Sequence, residues 1–228
     1  MRLDLHVHTC YSEDCWVPLP RIVEAVLKAP IDAIAVMDHN QIDGALLLAE
    51  RAPFPVIVGE EIASSGGEIA GLFLKELIPA GLLMEDTISR IREQGGLVYA
   101  PHPLARDVPR ALGRENLLAI LDEVDIVEGF NARILRSQDN LAAQALARER
   151  DIAVGAGSDA HFAREIGRAG VEMPGFGSPQ EFLHSLRAGC LFGRPSPYLY
   201  SLLTCGLWYV DQGRQLLRRA AGKNQVPD

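Results

Sequence analysis

Short apolar runs alternate with amphipathic stretches along most of this chain. Leu3 to Val7 reads as a strand, and Pro20 to Ala29 as a helix with proline in its first turn. Ala33 to Met37 is a run of small and β-branched residues that reads as a strand. Asp43 to Ala52 follows as a helix, with Asp43 as its expected N-cap. Val56 to Val58 and Glu68 to Leu74 read as strands on either side of a Ser64-Ser65-Gly66-Gly67 turn. Glu85 to Gln94 is helical and stops at Gly95-Gly96, a C-cap signature. Leu97 to Ala100 is a strand, Asn116 to Glu123 a short helix, Asp125 to Gly129 a strand and Ser137 to Arg150 a long helix. Ile152 to Gly155 is a last strand, followed by helices at Pro179 to Ala188 and Asp211 to Ala221.

Seven strands alternating with helices imply an α/β protein built on a mostly parallel sheet with covering helices. A closed or nearly closed barrel fits this count better than an open sheet. No repeat or linker divides the 228 residues, so a single domain is expected, with 198–228 as a C-terminal helical extension packed on it. Its apolar stretch from Tyr198 to Val210 is too short to span a bilayer and reads as a core or interface segment.

Composition narrows the function. The chain is 48% hydrophobic and 23% charged, ordinary for a globular protein. Its net charge of -8 argues against a general nucleic-acid surface. A small phosphorylated partner stays open, because bound metal ions invert local charge. No signal-peptide pattern opens the chain, and no membrane association is expected. The four cysteines form no C-x-x-C pair and read as reduced thiols of a cytoplasmic protein, although Cys10 and Cys15 lie close to the first motif described next.

The histidines carry the chemistry. His6, His8, His39 and His102 sit in polar clusters just after apolar strand runs, and His161 follows another. Catalytic groups of α/β barrels collect at such strand ends. Asp4, His6 and His8 alternate, so on a strand all three face one way, into the barrel. A buried polar row of this kind needs a partner, and a metal is the obvious one. Asp4 would then orient a ligating imidazole. Taken alone, the same H-x-H also fits an edge strand facing solvent. Asp159 and His161 repeat the spacing. In Asp38-His39, one residue of the pair should reach the metals, His39, with Asp38 supporting it. Glu60 and Glu61 close a strand with opposite orientations, and His102 is fixed between Pro101 and Pro103.

The order H-x-H, D-H, G-x-E, P-H-P and S-D-A-H, spread over roughly residues 2 to 197, resembles the PHP (polymerase and histidinol phosphatase) family. The resemblance implies a distorted (β/α)7 barrel with a two- or three-metal centre at the C-terminal ends of its strands, and hydrolysis of phosphate esters. Carried over by position, it implies that His6, His8, Glu61 and Asp159 hold one metal. Glu61 would bridge to a second, also bound by His102, and Asp14, His39 and His161 would hold a third. Where family members often have a histidine after G-x-E, this chain has Glu68, the expected replacement ligand; Asp14 stands where some members have histidine. So many oxygen donors favour manganese or iron over a cluster of zinc alone.

The expected activity is therefore metal-dependent hydrolysis of small phosphate monoesters or diesters, with a nucleotide-like substrate left open. Glu61, Asp159 and His161 are the expected catalytic residues, and water activated by the ions replaces a serine or cysteine nucleophile. Arg133 and Arg168, near strand ends, are candidates for binding phosphate. His184 lies within a helix and reads as structural, and Trp16 reads as packing or as a platform for a base. Two other readings compete. An amidohydrolase-like enzyme also begins with H-x-H but needs a ligating lysine, for which Lys75 lacks the context. A vestigial metal-binding module would show lost ligands, whereas these positions are filled. The oligomeric state is not legible.

Overall fold

The computed structural model describes residues 1–200 and 202–204. Nine strands form one sheet among these residues: β1 (Arg2–Val7), β2 (Ala33–Val36), β3 (Val56–Ser64), β4 (Gly67–Leu72), β5 (Leu97–Ala100), β6 (Ile126–Asn131), β7 (Ala153–Gly157), β8 (Ala169–Glu172) and β9 (Cys190–Gly193). Their order is β7-β6-β5-β4-β3-β2-β1-β8-β9. Six α-helices are interleaved with these strands: α1 (Leu19–Lys28), α2 (Asp43–Arg51), α3 (Met84–Glu93), α4 (Gly113–Ile120), α5 (Ser137–Glu149) and α6 (Pro179–Arg187).

The sheet curls into a nearly closed barrel. Just past β7, Ala160 pairs with the end of β1: His8 N donates to Ala160 O at 3.0 Å and Ala160 N to His6 O at 3.3 Å. Gly157 permits this closure, because a Cβ there would lie 2.3 Å from His6 Cβ and 2.7 Å from His6 N.

Period-two alternation divides the core into two layers. Ala33 and Ala35 of β2 and Leu97 and Tyr99 of β5 join Leu3, Leu5 and Phe182 inside the barrel. Their strand neighbours face outward under the helices: Ile34 and Val36 meet Ile22, Val26 and Leu48, while Val98 and Ala100 meet Ile88, Ile91 and Leu117. Each fully buried aliphatic side chain contributes roughly 1.5–3 kcal/mol. The lower interior is thus dry and apolar, and it supports a polar upper end.

Several elements depart from the pattern-based reading. The sheet is less parallel than expected, because β4 runs antiparallel to both β3 and β5 and no helix separates β3 from β4. A two-residue turn at Ser65-Gly66 permits this hairpin. β3 extends six residues beyond the expected Val58, to Ser64. β8 and β9, each only four residues long, carry too little alternation to announce themselves. Asp43 is the first residue of α2 rather than its cap; the capping position is Ile42, without a side-chain bond. Its carboxylate instead lies in the first turn, where negative charge is favourable. The short helix expected at Asn116 begins at Gly113 and passes into a 3-10 turn, Leu121–Glu123. Residues 198–200 and 202–204 are helical; the expected Asp211–Ala221 helix and the end of the apolar stretch lie outside the described residues. Among the described residues, no helix is long and apolar enough to cross a membrane.

Candidate metal centre

His6 and His8 leave β1 on the same side and are fully buried. The His6 Nδ1–H donates to Glu128 Oε1 at 3.1 Å. His8 Nδ1 meets Ser12 Oγ at 3.0 Å, and the same hydroxyl oxygen accepts from the His39 backbone N–H at 2.9 Å. With each Nδ1 engaged, the Nε2 nitrogens of the two rings converge at 3.0 Å. Two imidazole nitrogens approach this closely only when a proton or a cation lies between them.

Carboxylates complete the cluster. Glu61 Oε2 lies 3.3 Å from His6 Nε2, 3.5 Å from His8 Nε2 and 3.3 Å from His39 Nδ1, while its Oε1 is 2.9 Å from His102 Nε2. One carboxylate thus reaches four imidazoles, the position expected of a bridging ligand. Backbone pairing sets it there: His39 and Glu61 form a parallel bridge, with Glu61 N donating to Asp38 O and Asn40 N to Glu61 O. The alternating Glu60 faces the other way and accepts from Ile78 N at 2.9 Å.

Glu68, two residues along β4 from the partner of Glu61, lies 3.3 Å from His39 Nδ1 and 3.9 Å from His102 Nε2. Asp159 Oδ1 lies 3.4 Å from His8 Nε2 and 3.8 Å from His6 Nε2. Asp14 Oδ2 lies 3.0 Å from His161 Nε2 and 3.7 Å from His39 Nε2. His161 gives its Nδ1–H to the Asp159 carbonyl at 2.9 Å, so its Nε2 is the ring nitrogen turned toward the Asp14 carboxylate. Asp14 Oδ1, His39 Nδ1 and Glu68 Oε1 are buried without a hydrogen-bond partner. His102 and Asp159 hold positive φ, 28° and 53°. Such strain in residues other than glycine concentrates at functional sites.

Every ligand expected from the sequence is in this cluster, and all but Asp14 belong to one of four tight donor groups: His8-His39-His161, His6-His8-Glu61, His6-His102-Asp159 and His39-Glu61-Glu68. The donor set suits divalent ions.

Protonation follows the same logic. Burial, then the neighbouring His161, His39 and His6, push His8 down to about 3, so its ring is neutral and free to ligate. Burial also opposes charge on His102, but the Glu61 and Glu68 carboxylates outweigh it and raise the ring to about 9. Burial works against charge on Glu61, Asp159 and Asp14, yet the surrounding imidazoles hold all three below the usual carboxylate range.

The supporting residues differ in part from expectation. Asp4 does not orient an imidazole. Its oxygens accept from the backbone N–H groups of Ser158 and Gly167, both at 2.8 Å, and so fasten the loop that carries Asp159 and His161. The carboxylate that holds His6 is Glu128, which the sequence reading missed. It is fully buried and also accepts from Tyr99 Oη at 2.9 Å, His102 N at 2.7 Å and Asn131 Nδ2 at 3.0 Å. A lone acid within the apolar run Ile126–Asn131 was the available signal. Asp38 supports the site by gripping Thr9, accepting from its N–H at 2.6 Å and its hydroxyl at 2.7 Å.

Arg133 borders the cluster, with Nη1 3.4 Å from the Asp159 carbonyl and 3.5 Å from Glu165 Oε2, and Nη2 donating to Thr204 at 2.8 Å. Arg168 instead donates to the Pro195 carbonyl at 2.8 Å, and no contact joins it to the cluster among the described residues. Cys15 is buried with its thiol on the His161 carbonyl, whereas Cys10, Lys75, Trp16 and His184 are exposed.

A family model described as PHP-associated matches residues 137–191. The chain is 39% identical over 197 residues to the uncharacterized protein MJ0417 of Methanocaldococcus jannaschii, covering 82% of this chain and 79% of that one. A second uncharacterized protein of that organism, MJ1587, is 42% identical over 146 residues, covering 58% of this chain and 82% of its own. Among solved structures, a two-domain Bacteroides vulgatus protein containing a predicted PHP-like metal-dependent phosphoesterase superposes with a TM-score of 0.69 at 18% identity. The match covers 85% of this chain but only 65% of that protein's length. An amidohydrolase from Chromobacterium violaceum, with bound sulfate and no metal, gives a TM-score of 0.59 at 16% identity over 73% of this chain and 90% of its own. At these identities the structural likeness speaks for the fold.

Proposed function

The chain belongs to the PHP family, and on that premise we propose that it hydrolyses small phosphate esters at a centre of two to three divalent ions. The observation that carries this reading is the pair of imidazole nitrogens, His6 Nε2 and His8 Nε2, converging at 3.0 Å inside a ring of carboxylates. Glu61, Glu68, Asp14 and Asp159, with the five clustered histidines, are the proposed ligands. Three divalent ions would exceed four carboxylate charges and leave the site attractive to a phosphate. Ions held there would supply an activated water and offset charge on the phosphoryl oxygens.

The chain's own residues preset this chemistry. Glu128 and Ser12 fix the ring orientations of His6 and His8, so neither must be ordered at the moment of reaction. Asp4 and Asp38 anchor the two loops that meet over the barrel mouth. The oxygen-rich donor set favours manganese or iron. The substrate is a phosphate monoester or diester, and nucleotide-like esters belong in the screen.

Elemental mass spectrometry of protein purified without chelator tests the reading first, with two to three transition-metal ions per chain as the expected result. Phosphate monoesters and diesters are then screened with that metal. Asp159→Ala should abolish the hydrolysis; activity that survives this change would place the chemistry elsewhere.

A further inference from the structure

The connection from β5 to α4 crosses directly over the β3–β4 turn. Glu68 N donates to Arg110 O at 2.8 Å. This crossing depends on Gly67, whose φ is +132° and whose Cβ, were there one, would lie 2.8 Å from Leu112 Cα and 3.0 Å from Arg110 O. The backbone of Arg110 is therefore pinned to the residue that supplies Glu68 to the cluster.

The Arg110 side chain is 41% exposed at the cluster's edge. Its Nη1 lies 3.6 Å from Glu68 Oε1, and that oxygen is 3.3 Å from His39 Nδ1. One carboxylate thus separates the guanidinium from the metal-ligating donors. Its one side-chain hydrogen bond among the described residues runs from Nη2 to Glu13 Oε1, at 2.8 Å. That pair is open to solvent on one side, with Glu13 28% exposed, and a partly solvated pair holds its partners less firmly than a buried one, so Arg110 can exchange Glu13 for another anion. Arg133 differs: it is only 10% exposed and already engaged by Glu165 and Thr204.

We propose that Arg110 is a substrate-binding residue, whose guanidinium leaves Glu13 to bind oxygens of a phosphoryl group seated on the Glu61–Glu68 side of the cluster. Glu13 is its resting partner. A planar fork of donors matches phosphate oxygens two at a time, which a lysine cannot reproduce. The inference rests on the phosphoesterase reading, but it is also a claim about phosphate binding and is testable as such.

The probe is inorganic phosphate, titrated calorimetrically into the metal-loaded protein, alongside hydrolysis of p-nitrophenyl phosphate. Arg110→Ala should weaken phosphate binding about 10–100-fold, as loss of a charged hydrogen bond implies. Its metal content should be unchanged, and KM should rise more than kcat falls. Arg110→Lys should recover part of the loss. Glu13→Gln, which weakens the resting pair without touching Arg110, should tighten phosphate binding. Wild-type-like phosphate affinity in Arg110→Ala, or no phosphate binding by the wild type, overturns the proposal. Phosphate binding that depends on Arg110 in a protein that hydrolyses no ester would uphold it while removing the phosphoesterase reading.

Discussion

Glu128 on β6 accepts a hydrogen bond from His6 Nδ1 on β1 at 3.1 Å, across the barrel interior. The same carboxylate takes donors from Tyr99, His102 and Asn131, so four N–H or O–H groups converge on its two oxygens. Glu128→Gln would turn an amide NH2 toward those donors while keeping the side chain's volume. Metal affinity should fall about 10–100-fold, the usual consequence of losing a residue that orients a ligand. Competition against a chromogenic chelator measures it. Affinity within twofold of the wild type would mean that His6 is held by packing alone.

How legible this site was in the sequence depended on how each residue announces itself. His6, His8, His39, His102 and His161 end or follow apolar runs, so strand period and barrel geometry bring them together. Glu61 and Glu60 alternate, and the alternation correctly assigned them opposite faces. Glu128 went unread because one acid in an apolar strand does not announce its partners, which come from β1, β5, the connection after β5 and Asn131 at the end of its own strand. Arg110 lies in a loop whose path is set by a close approach to Gly67, which no periodicity encodes. Asp4 does not share a face with His6 and His8 as the alternation predicts: it pairs in register with the outward-facing Ile34, an irregularity between Asp4 and Val7 breaks the period, and its carboxylate bonds to backbone N–H groups more than 150 residues away.

Gly157 is a second residue that pattern reading passes over. A methyl group there would meet the His6 backbone and Cβ at 2.3–3.0 Å, where neither neighbour can yield. Gly157→Ala should therefore push β1 away from β7, at a cost of about 1–3 kcal/mol for overpacking, and lower metal occupancy. Urea unfolding and elemental mass spectrometry report the two effects. Unchanged occupancy would show that closure of the barrel is not what aligns His6.

Stripping the metal should alter both stability and proton binding. Ions that bind only the folded chain stabilise it by about 4 kcal/mol at a thousand times their dissociation constant, so chelation should lower Tm. His102 titrates near 9 in the metal-free site, held up by Glu61 and Glu68 against its burial. At pH 7 it therefore carries a proton that a metal must displace. Neighbouring carboxylates also hold His6 and His39 well above the usual imidazole range against their burial, so metal affinity should rise with pH throughout the range from 7 to 9. Calorimetry at pH 7 in two buffers of different ionisation enthalpy should show proton release. A heat that is the same in both buffers would show that His102 surrenders no proton to the metal.

Glu60, on the opposite face of β3 from the cluster, gives a pH dependence that needs no metal. Burial raises its carboxyl from 4.5 to about 7, only partly offset by the hydrogen bond from Ile78 N. Its other oxygen has no partner. Between these two values the folded chain holds a proton that the unfolded chain has released. Stability from this group is therefore undiminished below pH 4.5, declines as pH rises, and is lowest above pH 7. The decline amounts to at most about 3 kcal/mol for a shift of this size. Glu60→Gln keeps an acceptor for Ile78 and removes the buried charge. It should be more stable than the wild type at pH 8 and no more stable at pH 4.5. Urea unfolding of both proteins at the two pH values decides the matter. A difference that does not change with pH would mean that the Glu60 carboxyl titrates alike in the folded and unfolded chain.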